Sequence, residues 1–373
     1  KAGSRPACSR WKTKGRLLCT PFGNAVLDRA IRAHQELKAG LAEVIREVGR
    51  RGPASAATIA ALFNEARLVY IAGVAESGRV ASVAASLGVS QAAVSSAIAS
   101  VEAALQLPLF ERAYTGMRLT KCGEILLFRC KRALAEVRSI RPDIDALNNL
   151  TSGHVSVGVL PLGRTFVLPR AVGRVLKTHS RLRVTIVDGT FPVLAAALRR
   201  GDIDFVFGAL RPGYAPDLSD ESLYEIPLKI MVRKGHPLAS QSTVTLEQLA
   251  NVQWALPRAT PGRQLLDRFF SDRGLASPLE SVETGDLAML RGLLLDTDMV
   301  TAVAAKQFEY ELASGHLEVL PIDLPETIRA VGLTQRTDSR ASPGALALIR
   351  EFRRAVEEVT DSSDAQGALR DSR

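Results

Sequence analysis

The 373-residue chain has only four Cys and five His, few aromatics (5%) and no run of about 18 apolar residues. Each shortage excludes something. Without such a run no membrane span is expected. Cys8, Cys19, Cys122 and Cys130 form no CxxC pair, and no His stands at zinc-finger spacing, so no metal site is expected. Cys122 and Cys130 fall eight residues apart on one expected helix and are read as buried reduced thiols, with a redox switch as the alternative. His34, His154, His179, His236 and His316 are scattered, and none stands near a nucleophile motif. His236 and His316 fall in loops, where a structural or solvated role is expected. GxxxxGK[ST] and GxGxxG are both missing. No catalytic residue, cofactor or enzymatic activity is therefore expected. No secretory signal is read either; the chain starts at Lys1 rather than Met, so its true start is expected to be missing or processed, and the protein is expected in the cytoplasm.

What the chain does have is a hydrophobic fraction of 46%, enough for real cores in two or three domains. Its net charge of +9 is unevenly spread: residues 1–150 hold 22 Lys+Arg against 12 Asp+Glu, and residues 151–373 hold 26 against 27. A polyanion partner for the N-terminal part alone would explain this, since cationic side chains gain by releasing phosphate counterions.

The stretch 80–119 supplies the device. A short helix with Val83, Ala84 and Leu87 inward runs into Gly88. Ser90 then stands where a helix N-cap is wanted, and a second helix follows with Val94, Ile98, Val101 and Leu105 on one face. Two short helices joined through a Gly-containing turn make a helix-turn-helix, with the second helix suited to a major groove. Gln91, Ser95 and Ser96 lie on its outward face as candidates for base contacts; Gln bonds adenine in two places. Residues 61–78 are expected to form the preceding helix, with Leu62, Leu68, Ile71 and Val74 inward. After Pro108, two short strands around Gly116 read as a wing, with Arg112, Arg118 and the cap Ser90 as candidates for phosphate contacts. No Lys or Arg occurs between Arg79 and Arg112, so the recognition helix is neutral.

Thr120 is expected to cap a helix to about Leu150 whose apolar positions (Ile125, Leu126, Leu134, Val137, Ile140, Ile144, Leu147) suit pairing with another helix. There is also a repeat. Thr20, Gly23, Leu27, Arg29, Arg32 and Ala33 recur 100 residues later as Thr120, Gly123, Leu127, Arg129, Arg132 and Ala133. Residues 14–18 resemble the wing end 116–119. Residues 1–50 thus read as the tail of a first winged unit and its helix, with coincidence between two basic amphipathic helices as the alternative. Residues 51–60 form the linker, 61–119 the winged domain and 120–150 the pairing helix.

From Ser152 strands and helices alternate: strands at 155–159, 183–187 and 203–207, helices at 166–178 and 192–200, then a second set from 226. Such units build an open α/β sheet. Two lobes are expected, 151–225 with 324–360 and 226–323, with a ligand cleft between them. The tail 361–373 is expected to be disordered. One wall of the cleft is assigned to Leu160, Pro161, Gly163, Arg164 and Thr165, leading to a helix N-terminus that favours an anion. Across it are placed Gly208, Ala209, Leu210, Arg258, Thr260 and Val303.

The order of residues 74–78 (VAESG), Ala84-Ala85-Ser86-Leu87, Val89-Ser90-Gln91, Ala93-Val94-Ser95, Pro108-Leu109-Phe110-Glu111-Arg112 and Leu119-Thr120 with Gly123 resembles the LysR-type transcriptional regulators. So do Leu168-Pro169, Gly201-Asp202-Ile203-Asp204, residues 236–239 (HPLA) and Gly315-His316-Leu317, so the likeness spans about 62–360. The resemblance implies a winged helix-turn-helix domain, a linker helix and a two-lobed effector domain of the type 2 periplasmic-binding-protein kind. It also implies promoter DNA and a small co-inducer as partners, and a homodimer or homotetramer through the linker helix; Arg164 and Thr165 suit an organic acid as that co-inducer, with surface ion pairs of Arg164 and Arg258 as the alternative. The chain departs from the family at Ala93, where Pro is frequent, and at Ser96 and Ala99, where basic residues are frequent; the repeat is also unusual for it. The competing class is a small-molecule-binding protein whose winged domain serves only in oligomerisation.

Overall fold

The computed structural model describes residues 9–11, 17–49, 56–114, 116–258 and 260–370. The chain opens with an antiparallel hairpin, β1 (Ser9–Trp11) and β2 (Leu17–Cys19), leading into the long helix α1 (Pro21–Glu47). Next come α2 (Ala56–Leu62) and α3 (Glu65–Ser77). The sequence runs one helix through this stretch, but Asn64 breaks it: its side chain accepts from Arg67 N at 3.2 Å and starts α3 afresh. The expected linker is correspondingly shorter, because 56–60 are helical. Leu62, Leu68, Ile71 and Val74 all point inward.

The two helices of the turn motif are α4 (Val80–Leu87) and α5 (Gln91–Leu105), bent by 118°. Gly88 ends α4 in the left-handed conformation and Ser90 caps α5, its Oγ accepting from Ala93 N at 3.1 Å. The wing is β3 (Phe110–Ala113) paired with β4 (Gly116–Leu119), and Thr120 caps α6 (Lys121–Leu147). α1 lies along α6, and their inner faces join the helix-turn-helix in one core that includes Leu37, Leu41, Leu126, Cys130 and Leu134. The pairing face read on α6 is therefore covered in part by a helix of the same chain, at Ile125, Leu126, Leu134 and Val137, while Leu147 stays exposed.

The effector domain follows. Its first lobe is built from β5 (Ser152–Val159), α7 (Val167–Thr178), β6 (Arg181–Asp188), α8 (Phe191–Arg200), β7 (Phe205–Ala209) and β8 (Leu218–Ile226). The second lobe contains β9 (Lys229–Arg233), α9 (Leu246–Ala250), β10 (Trp254–Leu256), α10 (Pro261–Ser271), β11 (Glu280–Glu283), α11 (Leu287–Asp296), β12 (Thr301–Val303), α12 (Glu309–Ala313) and β13 (Leu317–Val319). The chain returns to the first lobe through β14 (Arg329–Arg336) and ends in α13 (Pro343–Arg370). The first sheet runs β6-β5-β7-β14-β8, with β5 parallel to β6 and β7, and β14 antiparallel to β7 and β8.

Three details depart from the sequence. β8 has no counterpart in the sequence pattern: it is an edge strand with polar Ser219, Asp220 and Glu221, which lack the apolar alternation of a core strand. β7 starts at Phe205 because Asp204 turns aside to accept Ser156 N at 2.8 Å, its carboxyl pushed up by burial. The disordered tail is replaced by helix as far as Arg370, since no proline follows Pro343 and Ala365, Gln366, Ala368 and Leu369 favour helix; 371–373 lie outside the described residues.

Candidate DNA-reading face and effector cleft

On the head, burial of Val94, Ile98, Val101 and Leu105 turns the opposite side of α5 to solvent. Gln91, Ser95 and Ser96 are all exposed there. Ser90 is exposed at the helix start; its oxygen is engaged in the cap, leaving its O–H to donate. Arg112 is exposed on the wing. Arg118 is also exposed but sits opposite Glu111 and pairs with it at 2.8 Å.

Three features of the head were not read from sequence. Tyr114 at the wing tip is fully exposed, a large ring on a hairpin end. Glu102 on α5 accepts the backbone N–H groups of Leu109 (2.7 Å) and Phe110 (3.2 Å), so the recognition helix itself anchors the wing. On the wing's other strand, Met117 N donates to Gly78 O at 2.8 Å. Gly116 has φ +130°, and a Cβ there would stand 2.5 Å from Gly78 O, so only Gly lets the wing lie against this turn.

Between the lobes lies a cleft of about 500 Å³. Of the residues assigned to it by sequence, Leu160, Pro161, Thr260 and Val303 line it. The others do not. Arg164 turns out to Asp188 at 3.1 Å, and Arg258, 87% exposed, pairs with Glu283 at 2.5 Å. Thr165 Oγ1 donates to Lys306 O at 3.3 Å. Gly163 packs on Phe207, and Gly208 lies beneath Leu160, so both serve strand and turn packing. Ala209 and Leu210 offer their carbonyls to Arg211 (3.2 and 2.8 Å), which puts Arg211 rather than themselves at the wall.

The missed residues carry the charge. Arg211 and Arg329 both line the cleft, and among the described residues no acid pairs with either. Leu210 N donates to Ala330 O at 2.9 Å, which sets the two arginines on adjoining chain segments. Burial and then the Arg211 charge hold the Arg329 guanidinium at about 10, well below its ordinary value, and burial also lowers Arg211. The Nε of Arg329 is buried with no hydrogen-bond partner. Gly262 makes room for it: a Cβ there would stand 2.8 Å from an Arg329 Nη. Arg263, also in the wall, is by contrast neutralised by Asp267 (2.8 Å) and Glu280 (2.9 Å). The N-termini of α8, at Thr190 and Phe191, and of α10, at Thr260 and Pro261, open onto the same space. Phe191, Tyr214, Leu256, Leu266 and Leu290 supply an apolar lining.

His236 is buried, bridging Asp298 O and Leu238 N at 3.1 Å each, a structural role. Cys130 is buried and its thiol is pushed up to about 12 by burial, whereas Cys19 is exposed and Cys122 half-buried; Cys8 lies outside the described residues. Among the described residues no His/Cys/Asp/Glu cluster could hold a metal, and no single helix is long and apolar enough to cross a membrane.

Comparison with known proteins agrees with this architecture. Residues 148–357 match the LysR substrate binding domain, and residues 66–124 match the bacterial regulatory helix-turn-helix protein of the lysR family. The chain is 41% identical over 341 residues to the HTH-type transcriptional regulator GalR of Pseudomonas putida, covering 91% of this chain and 84% of that one. It is 30% identical over 280 residues to the regulator PcaQ of Agrobacterium fabrum, covering 74% of this chain and 89% of that protein. A full-length OxyR variant from Pseudomonas aeruginosa superposes with a TM-score of 0.60 at 21% identity, covering 79% of this chain and 94% of that one. The LysR family regulator CbnR in complex with its target DNA gives a TM-score of 0.55 at 20% identity, covering 79% of this chain and 100% of that one. The chain thus belongs to the LysR family of DNA-binding, non-enzymatic transcriptional regulators, whose members bind promoter DNA and small effectors and oligomerise.

Proposed function

We propose that the regulator answers to a small organic anion held in the inter-lobe cleft by Arg329 and Arg211, and that its occupancy sets how the head engages promoter DNA in the cytoplasm. One observation carries this reading: Arg329 is a half-buried cation whose Nε is fully buried and unpartnered, beside a second unpaired arginine. Two like charges in one apolar cleft are costly until a counter-anion arrives. A carboxylate supplies it and can engage a guanidinium in bidentate fashion. Leu160, Pro161, Thr260 and Val303 complete the walls, with Phe191 and Tyr214 providing faces for a planar or apolar body.

On the DNA side, Gln91, Ser95 and Ser96 are the base-reading candidates, and Ser90, Arg112 and Arg118 the phosphate contacts. Their exposure on one face of α5 and its wing supports this.

The test is a thermal-shift panel of small aliphatic and aromatic mono- and dicarboxylates, each against its neutral amide. Carboxylates are expected to raise the melting temperature and the amides to leave it unchanged. Equal shifts from acid and amide, or no shift from any carboxylate, would sink the proposal. Trp254 lies behind the cleft wall, two residues from Leu256, so its emission offers a second readout.

A further inference from the structure

The two halves of the internal repeat pack against each other. α1 (Pro21–Glu47) and α6 (Lys121–Leu147) have the same length and stand 100 residues apart throughout. Each follows an antiparallel hairpin. Each is capped by a Thr whose Oγ1 accepts from a Gly N–H: Thr20 from Gly23 at 3.2 Å, Thr120 from Gly123 at 3.1 Å. A coincidence of two amphipathic basic helices does not reproduce a hairpin, a cap and a length.

Four of the five ion pairs recorded between the helices obey an exchange rule. Arg29 bonds Glu136 (2.7 Å) and Asp143 (2.9 Å). Its repeat mate Arg129 bonds Glu36 (2.9 Å) and Glu43. Glu36 and Glu43 are the repeat mates of Glu136 and Asp143. In these four pairs, where residue i meets j of the other helix, the mate of i meets the mate of j; a fifth, Arg132–Glu36 at 2.7 Å, has no such counterpart. Such exchange is the signature of a two-fold, isologous interface, the kind two copies of one chain make with each other. Here both sides are the same polypeptide.

The symmetry is broken at Arg32, which donates to Asp338 O at 3.1 Å where its mate Arg132 bonds Glu36, and again at Arg29, where the cause is visible. Arg29 is fully buried because the segment after β14 covers it: Arg29 donates to Arg340 O at 2.8 Å, and Arg340 pairs with Asp28 at 3.3 Å. Arg129 has no such cover and stays partly exposed. One effector domain is attached to two helices, so only one end is capped.

We infer that α1 is the in-chain partner of α6, so that one chain carries both halves of this helix pair and copies of the chain oligomerise without exchanging α1 for one another. The antiparallel pairing puts the two helix starts, with their hairpins, at opposite ends. A 27-residue helix is about 40 Å long, close to the roughly 35 Å of one turn of DNA. One chain then holds two hairpins about one duplex turn apart. The match to the P. putida regulator reaches into this N-terminal part, since 91% coverage leaves unmatched fewer residues than precede α2 at Ala56.

The test needs no substitution. Unlabelled and ¹⁵N-labelled protein, unfolded and refolded together in equal amounts, is treated with a long lysine-reactive cross-linker; Lys38 on α1 and the exposed Lys121 on α6 are the targets. Links between α1 and α6 are expected to carry a single isotope throughout. Mixed-isotope links making up about half, the statistical share for exchange between copies, would overturn the inference. So would the absence of any α1–α6 link. A charge exchange gives the second arm. Arg129→Glu alone and Glu43→Arg alone are each expected to lower the melting temperature by about 5 °C. Both changes in one chain are expected to recover part of that loss, since a carboxylate at 129 then faces Glu36, while mixing the two single variants recovers none. Recovery on mixing overturns the inference, as does failure of the doubly changed chain to recover.

Discussion

The head and the cleft handle positive charge in opposite ways. α5 carries no cation, and one of the wing's two arginines is tied to Glu111; the cleft keeps two arginines without an acid. The difference follows from the partners. A duplex brings a dense row of phosphates, so many weak exposed contacts sum to affinity. A small anion brings one or two charges, so its cations must be held ready, dehydrated and unpaired, before it arrives.

Arg329→Met breaks the contrast hardest. It is expected to lower anion affinity by about 3 kcal/mol, roughly 100-fold in Kd, while DNA binding by the unliganded protein is unchanged; calorimetry and gel retardation read the two. The folded-state value of Arg329, about 10, lies below that of an unfolded arginine. The charged form is thus disfavoured by folding: the cost is fully present below about pH 10 and falls away as pH rises through that value. At neutral pH the Met variant without ligand should therefore melt higher than the parent. A lower melting point would mean Arg329 is held by contacts that balance its burial. Anion affinity of the parent should fall above about pH 10.

Gly116→Val comes next, and acts on the head alone. Its Cβ meets Gly78 O and its backbone sits at positive φ, so the wing must leave the turn at a cost of about 1–3 kcal/mol. Retardation should show weaker DNA binding with an unchanged anion isotherm. A parallel loss of anion binding would show that head and cleft are not separable.

The unequal legibility of the two regions has the same physical root. The head is read from neighbours in sequence: Gly88 stops one helix, Ser90 starts the next, and a three- to four-residue spacing buries Val94, Ile98 and Val101. The cleft is assembled from residues far apart in the chain. Arg211 follows β7 and Arg329 begins β14, and only the antiparallel pairing of these strands brings them together. In sequence they look like any other arginine, whereas Arg164 and Arg258 lie nearer the expected walls yet are paired with Asp188 and Glu283. The 100-residue repeat is visible in the sequence. Its closure on itself is not, because an apolar stripe does not say whether its partner belongs to the same chain.

Ser90→Ala sharpens the local side of the contrast. Losing the Oγ acceptor leaves Ala93 N–H without its cap and should cost about 1 kcal/mol, a melting shift of a few degrees at most. DNA affinity should fall more than stability if the hydroxyl also donates to a phosphate. Equal losses would confine it to capping.

The smallest effects separate the wing's two arginines. Each phosphate contact contributes about 0.9 to the slope of log K against log salt concentration. Arg112 has no acid opposite it and is expected to lose close to that full amount on Arg112→Ala. Arg118 must first leave Glu111, although an exposed pair of this kind is worth under about 1 kcal/mol. Arg118→Ala should therefore change the slope less, and Glu111→Gln should raise affinity at low salt by freeing it. If Arg118→Ala changes the slope as much as Arg112→Ala, the ion pair opens at no cost on the duplex. The wing then carries as much usable charge as its sequence shows, and the neutrality of the head belongs to α5 alone.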